Sequence, residues 1–215
     1  MNNFTFAAIE FPDFINGGSF FITFSAFGLV YSNSFPTFVS INCQKNMKRI
    51  ILITGGARSG KSSYAEKLAL RLSPHPIYMA TAHVWDEEFR QRVIKHQLAR
   101  GSEWTNIEEE KELGKHPVEG RVVLIDCVTL WCTNYFYESQ GNVKEALENI
   151  QQEFDRFTAQ KATFIFVTNE IGMGGTSENE LQRKFTDMQG WMNQYIAARA
   201  DEVTLMVCGI PMKVK

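Results

Sequence analysis

One short segment limits what this chain can fold into more than any other part of the sequence. Residues 55 to 62 read Gly-Gly-Ala-Arg-Ser-Gly-Lys-Ser and fit the pattern G-x-x-x-x-G-K-[ST]. The glycines let the backbone curl so that its N–H groups point at a phosphate chain, Lys61 supplies positive charge, and the Ser62 hydroxyl can ligate Mg²⁺. The segment predicts a nucleotide-binding loop that consists of Gly55, Gly56, Ala57, Arg58, Ser59, Gly60, Lys61 and Ser62.

The flanking residues support this prediction. Residues 49–54 are an apolar, β-branched run, and residues 61–72 place Tyr64, Leu68 and Leu72 at helical spacing. A strand followed by a turn and a helix is the context in which the pattern binds phosphate.

Further strands and helices alternate along the chain. Apolar runs at residues 76–80, 121–126, 163–168 and 202–208 predict strands buried on both faces. One predicted helix has an apolar stripe made by Val143, Leu147, Ile150, Phe154 and Phe157. A second has Leu181, Phe185, Met188, Met192 and Ile196, with Ser177 and Glu180 as its capping box. This alternation predicts an α/β fold, a P-loop NTPase (RecA-like) with a mostly parallel sheet flanked by helices.

Composition narrows the class of protein. The chain has 215 residues, of which 44% are hydrophobic, and this suits one α/β domain. Its net charge of -2 and the lack of a long Lys/Arg run argue against nucleic acid as a partner. Cys127 and Cys132 flank an apolar stretch without metal-ligand spacing, which is typical of buried thiols in a reduced, cytoplasmic protein.

The first 46 residues differ from the rest. They contain ten of the 17 phenylalanines and only three charged residues. They lack the basic start of a secretory signal, and their most apolar stretch is shorter than the roughly twenty residues of a membrane helix. We therefore expect residues 1–46 to be a poorly ordered extension and residues 47–215 to be the nucleotide-binding catalytic domain.

The ends of the predicted strands provide the candidate site. In an open parallel sheet, ligands bind at the carboxyl ends of the strands. The loop Ala80, Thr81 and Ala82 follows the second strand, Asp126 ends the third, and Asn169-Glu170 follow the fourth. Asp126 is placed like the acid that holds Mg²⁺ beside a P-loop, and Ser62 would be the second protein ligand.

Taken in order, the motifs resemble the bifunctional adenosylcobinamide kinase / adenosylcobinamide-phosphate guanylyltransferase family. The resemblance runs from about Met47 to Lys215 and rests on residues 53–62, Ala80-Thr81, Asp86, Glu88, Arg92, His96, Arg100, Trp104, residues 168–174, Asn193, residues 200–203 and residues 213–215. The family would not need the first 46 residues.

The resemblance implies two reactions in cobalamin biosynthesis. A nucleoside triphosphate phosphorylates the aminopropanol hydroxyl of adenosylcobinamide, and GTP then gives GMP to that phosphate, which releases pyrophosphate and forms adenosylcobinamide-GDP. In the family the GMP is carried on a histidine, which corresponds to His96. Lys61 and Asp126 would be the other catalytic residues, and a homotrimer is implied as well.

By position in the motifs, the resemblance also implies a set of nucleotide contacts outside the P-loop. They are Ala80, Thr81, Ala82, Gln97, Leu98, Ala99, Arg100, Glu108 and Asp126. The implied ligands are Mg²⁺, GTP, adenosylcobinamide and its phosphate, and the sequence leaves ATP or GTP open as the phosphoryl donor.

Two other interpretations stay open at this stage. A P-loop small-molecule kinase would need no nucleophilic histidine, and His83 competes with His96 for that role, while His75 and His116 are expected to be surface residues. A non-catalytic GTP-binding switch is the second alternative, although the chain has no N-K-x-D motif after a strand.

The extension generates the first prediction. A chain that begins at Met47, the candidate start of translation, should fold and bind GTP as well as the full chain, because a Phe-rich segment with few core contacts adds aggregation rather than stability. Calorimetric melting and GTP titration of both chains test this. A clear fall in melting temperature after removal of residues 1–46 would contradict this prediction. A peptide from upstream of Met47 in the native protein would contradict Met47 as the start of translation.

Overall fold

The computed structural model divides the chain into two units, Met1–Ile41 and Asn42–Lys215. In the first unit it describes the backbone of residues 8–12, 19–25 and 28–31, and in the second it describes residues 48–83, residue 91 and residues 100–215. His96 and residues 97–99 lie outside the described residues.

The described residues of the first unit form three strands. These are β1 (Ala8–Pro12), β2 (Ser19–Ser25) and β3 (Gly28–Tyr31), which pair in the antiparallel order β1-β2-β3. Pro12 is the last residue of β1 and Gly28 is the first residue of β3. That the catalytic domain folds and binds GTP without residues 1–46 stays a prediction.

The second unit contains a seven-stranded sheet in the order β10-β9-β4-β8-β7-β5-β6. Its strands are β4 (Arg49–Gly55), β5 (Ile77–Ala80), β6 (Thr105–Glu108), β7 (Val122–Asp126), β8 (Thr163–Val167), β9 (Glu202–Val207) and β10 (Ile210–Lys213). All neighbouring pairs are parallel except β9 and β10. The predicted mostly parallel sheet is confirmed.

Helices cover both faces of this sheet because alternate residues of each buried strand point to opposite sides. Ile51, Ile53 and Ile165 face α1 (Lys61–Leu72). Their neighbours, among them Leu52 and Phe166, pack under three helices on the other face. Those helices are α2 (Val128–Glu138), α3 (Val143–Thr158) and α4 (Glu180–Arg199).

The structure corrects two predictions about α4. The helix is capped by Asn179, whose side chain accepts a hydrogen bond from the Gln182 N–H, and not by a Ser177–Glu180 capping box. Ser177 Oγ accepts from the Asn179 N–H and lies two residues too early in the chain to cap the helix. Leu181, expected in the apolar stripe, is 49% exposed, because the first turns of α4 extend past the end of the sheet.

Two strands of the seven-stranded sheet were not predicted from the sequence. β6 reads Thr-Asn-Ile-Glu and β10 reads Ile-Pro-Met-Lys, and both lie at the edges of the sheet, where no continuous apolar run is needed. Within the described part of the chain, no helix has both the length and the apolar character required to cross a bilayer.

The packing on the α2–α4 face generates a stability prediction. Phe154 of α3 is fully buried, with its ring centroid 5.2 Å from that of Phe166 and 5.9 Å from that of Tyr195. Phe154→Ala should lower the free energy of unfolding by about 3–5 kcal/mol, because it removes apolar contacts and leaves a cavity. Urea denaturation measures this. Leu70→Ala on the exposed side of α1 is the control and should change it by about 0.5 kcal/mol or less; an equal loss in both variants would contradict the core assignment.

Candidate active site

The register of the parallel sheet brings several predicted site residues into one row. Glu108 is paired with Ala80, Ala80 with Asp126, and Asp126 with Val167 on β8. Val167 is paired in turn with Ile53, two residues before Gly55. Neighbouring strands are about 4.8 Å apart, so these residues and the P-loop share the carboxyl edge of the sheet.

The P-loop follows β4 as predicted and leads into α1. Gly60, which caps α1, has φ of 91°, a left-handed conformation that glycine adopts without strain. Gly55 has φ of 148°, and a Cβ there would come within 2.5 Å of the Met206 carbonyl oxygen. The Gly209 N–H in the β9–β10 turn donates to the Ser59 carbonyl oxygen at 3.0 Å. The loop is therefore held from the neighbouring strand as well as by its own sequence.

Lys61 lies within this loop. Its side chain is buried, and Nζ donates to the Gly56 carbonyl oxygen at 2.6 Å and to Ser59 Oγ at 3.4 Å. Burial lowers the pKa of Lys61, while the charge of Asp126 acts to raise it. The ammonium group is thus fixed inside the curve of the loop, where a phosphate chain would replace its contacts with the loop backbone.

Asp126 is held by a side chain that the sequence did not reveal. The Tyr78 hydroxyl donates to Asp126 Oδ2 at 2.8 Å, and the Arg100 guanidinium lies 3.6 Å from the centre of the Tyr78 ring. Burial and the Asp126 carboxylate raise the pKa of Tyr78 above its usual range, so the hydroxyl remains a donor. Arg100, a predicted nucleotide contact, is therefore connected to Asp126 through Tyr78.

Ser62 and Asp126 supply the oxygen donors that Mg²⁺ prefers. Ser62 is half-buried in the first turn of α1, and Asp126 is half-buried with Oδ2 bonded to Tyr78. A magnesium ion needs only one or two protein ligands when phosphates and waters complete its shell. The residues present fit such an ion.

A polar network lies beneath the site. The Thr54 hydroxyl donates to Glu170 Oε1 at 2.7 Å, and Asn193 Nδ2 donates to the same oxygen at 3.1 Å. The Thr168 hydroxyl donates to Asn193 Oδ1 at 2.7 Å, and Gln189 Nε2 donates to Thr168 Oγ1 at 2.9 Å. These bonds fix Glu170, directly after β8, against the strand that leads into the P-loop.

The loops after β5 and β6 are tied together on the other side of Asp126. The Thr81 hydroxyl donates to the Cys127 carbonyl oxygen at 2.7 Å. Asn134 of α2 donates to the carbonyl oxygens of Thr81 and Glu110 at 2.9 and 2.8 Å. Ala82 is half-buried in the same loop. The predicted contacts Ala80, Thr81 and Ala82 are therefore in a fixed loop beside Asp126.

A cavity of about 460 Å³ adjoins the end of β6 and is strongly acidic. Glu108 lines it together with Glu109, Glu110, Glu112 and Glu138. Burial acts against ionisation of Glu109, but hydrogen bonds from Lys115, from the backbone N–H groups of Lys111 and Glu112, and from His116 lower its pKa to about 2. Glu109 is thus a fixed negative charge. This cavity suits hydrogen-bond donors and cations better than phosphates.

The histidine and cysteine side chains near the site differ in their surroundings. His83 Nδ1 lies 2.9 Å from Glu110 Oε1, and its side chain is 41% exposed. His116, expected at the surface, is half-buried, with Nε2 3.2 Å from Glu109 Oε2. Burial raises the pKa of Cys127 to about 12 and that of Cys132 further still, so both thiols stay protonated. His96 lies outside the described residues.

The fold and this site define a P-loop nucleotide-binding protein. Residues 51–214 match the family model described as cobinamide kinase / cobinamide phosphate guanyltransferase, and the chain belongs to that family.

Curated relatives match over nearly their whole length. The bifunctional adenosylcobalamin biosynthesis protein CobP of Pseudomonas aeruginosa is 37% identical over 172 residues, which is 76% of this chain and 96% of the relative. CobU of Escherichia coli is 38% identical over 183 residues, and CobU of Salmonella typhimurium is 34% identical over 187 residues. Both matches cover 77% of this chain and 99% of the relative.

Proposed function

We propose that this chain performs both reactions of its family in cobalamin biosynthesis. In the first, the aminopropanol hydroxyl of adenosylcobinamide attacks the γ-phosphorus of a nucleoside triphosphate, and the nucleoside diphosphate leaves. In the second, GMP passes from GTP to the new phosphate, and pyrophosphate leaves. The observation that carries the proposal is the family match over residues 51–214.

The P-loop serves both reactions in this proposal. Its backbone N–H groups bind the phosphates, and Lys61 neutralises charge that develops on them as the bond to phosphorus breaks. The support is geometric, since Lys61 is buried within the loop and stands on the same sheet edge as Asp126. Ala80–Ala82, Gln97–Arg100 and Glu108 are proposed to contact the rest of the nucleotide.

His96 is proposed to divide the second reaction into two displacements. Its neutral imidazole nitrogen attacks the α-phosphorus of GTP, a P–N bond forms, and pyrophosphate leaves. The phosphate oxygen of adenosylcobinamide phosphate then attacks the same phosphorus, the P–N bond breaks, and adenosylcobinamide-GDP is formed. His83 is a weaker candidate because its Nδ1 is engaged by Glu110.

Ser62 and Asp126 are proposed to hold Mg²⁺. When bound, that ion would reduce the negative charge that the attacking group meets at the phosphates. The chain's own contribution is to orient Asp126 through the Tyr78 hydroxyl. Because the P-loop contacts only the triphosphate, which ATP and GTP share, either nucleotide can be the phosphoryl donor in this proposal.

Two further statements are part of the same proposal. A reduced, cytoplasmic location agrees with Cys127, Cys132 and Cys208, which are free cysteines. A homotrimer follows from the family resemblance, and light scattering on the purified protein measures it.

The two reactions should separate in a histidine variant. His96→Ala should abolish attachment of labelled GMP and guanylyl transfer while phosphorylation of adenosylcobinamide stays within about threefold of the native rate, because only the second reaction needs a covalent carrier. The measurement uses α-labelled GTP, with the adduct recognised by its lability in acid and stability in alkali.

His83→Ala is the matched control and should keep both activities. Adduct formation that survives in the His96 variant and is lost in the His83 variant would show that the nucleophile is His83. A native chain that phosphorylates adenosylcobinamide but never retains the label would instead indicate a simple kinase.

A further inference from the structure

A second cavity, of about 400 Å³, plays no part in the proposed chemistry. It lies between Phe136 and Tyr137 of α2 and Leu181 and Phe185 of α4, and we call it the interhelical cavity. None of the described residues that line it is charged, whereas the cavity beside Glu108 is lined by several carboxylates. Its lining therefore suits a neutral ligand.

The interhelical cavity is on the same edge of the sheet as the P-loop. Thr129 of α2 and Gln189 of α4 meet at the end of β8, where Gln189 Nε2 donates to Thr129 Oγ1 at 2.9 Å. A helix rises about 1.5 Å per residue, so Leu181 lies roughly 12 Å along α4 from Gln189, past the strand ends. Phe185 lines the cavity and lies four residues, roughly 6 Å, before Gln189 along α4. The cavity is therefore about one helical turn beyond the end of β8, which lies between β4 and β7.

Its apolar side chains are unusually accessible. Tyr137 is 58% exposed and Leu181 is 49% exposed, while the rings of Phe136 and Phe185 pack against each other with centroids 5.5 Å apart. Large apolar groups gathered at the mouth of a cavity gain free energy when a ligand covers them. The aromatic pair gives the cavity a firm wall.

The polar side of the interhelical cavity is also held in place. Arg183 Nη1 donates to the carbonyl oxygens of Ser177 and Glu178 at 2.9 and 2.7 Å, which fixes the loop before α4. Asn179 uses only its Oδ1 to cap the helix. Among the described residues, the Asn179 NH₂ group and the whole Gln182 amide make no hydrogen bond. Two amides thus remain available to a ligand.

We infer that the interhelical cavity binds one edge of the corrin ring of adenosylcobinamide. This inference rests on the proposed function. A corrin ring has an apolar perimeter that carries neutral carboxamide chains, which match the apolar wall and the amides of Asn179 and Gln182. The reacting hydroxyl ends a flexible, amide-linked arm, so the ring must lie beside the phosphate site rather than in it. A cavity of about 400 Å³ takes one edge of so large a ring and leaves the rest uncovered.

A substitution that fills the interhelical cavity tests the inference. In Leu181→Trp, the larger ring should occupy this cavity and raise the Kd of adenosylcobinamide at least tenfold, as measured by equilibrium dialysis with corrin absorbance. The Kd of GTP and the formation of the GMP adduct from GTP alone should stay within twofold of native. Gln182→Leu, which removes one amide and retains the helix, should raise the same Kd about 2–10-fold.

Lys184→Trp is the matched control, since it adds the same ring to the exposed side of α4 and should leave the Kd unchanged. If both Leu181→Trp and Gln182→Leu keep the native Kd of adenosylcobinamide, the inference is overturned. The proposed function would still stand in that case, provided that the native chain phosphorylates adenosylcobinamide. A native chain that neither binds nor phosphorylates adenosylcobinamide would overturn both.

Discussion

The parallel register of the central sheet is the constraint on which the site depends. Side chains from strands far apart in sequence reach one edge only because β4, β8, β7, β5 and β6 all point the same way. A slip of one residue in β7 would turn Asp126 to the other face of the sheet, away from Tyr78. Burial of both faces of these strands fixes that register, so the apolar core is what positions the polar site.

The same edge serves two tasks that need different surroundings. In the proposed function, phosphates bind at the P-loop with the buried Lys61, between β4 and α1. The corrin ring is assigned to the opposite face, between α2 and α4, where the lining is neutral. The hydrogen bonds from Thr54 and Asn193 to Glu170 join the strand before the P-loop to α4 through the loop after β8.

Much of this fold follows from local pattern. The glycine spacing of residues 55–60 and the apolar runs that became β4, β5, β7, β8 and β9 are visible in the sequence because each depends on neighbours in the chain. The bond between Thr54 and Glu170 spans 116 residues and the bond between Tyr78 and Asp126 spans 48, so no local pattern indicates either. The edge strand β10 was missed because an edge strand needs no continuous apolar run. The Asn179 cap was missed because Ser177, two residues earlier, also has a side chain that can cap a helix. The roles of the site residues stay predictions.

The most direct test of the account is the effect of Lys61→Ala on both reactions, measured with adenosylcobinamide and GTP labelled at either the α- or the γ-phosphate. A single P-loop that serves both steps predicts that transfer of either label falls about a hundredfold or more, since the same ammonium stabilises both transition states. Lys67→Ala, on the exposed side of α1, should keep both rates. Full transfer of the α-label by the Lys61 variant would contradict the account, because GMP transfer would then occur without the P-loop.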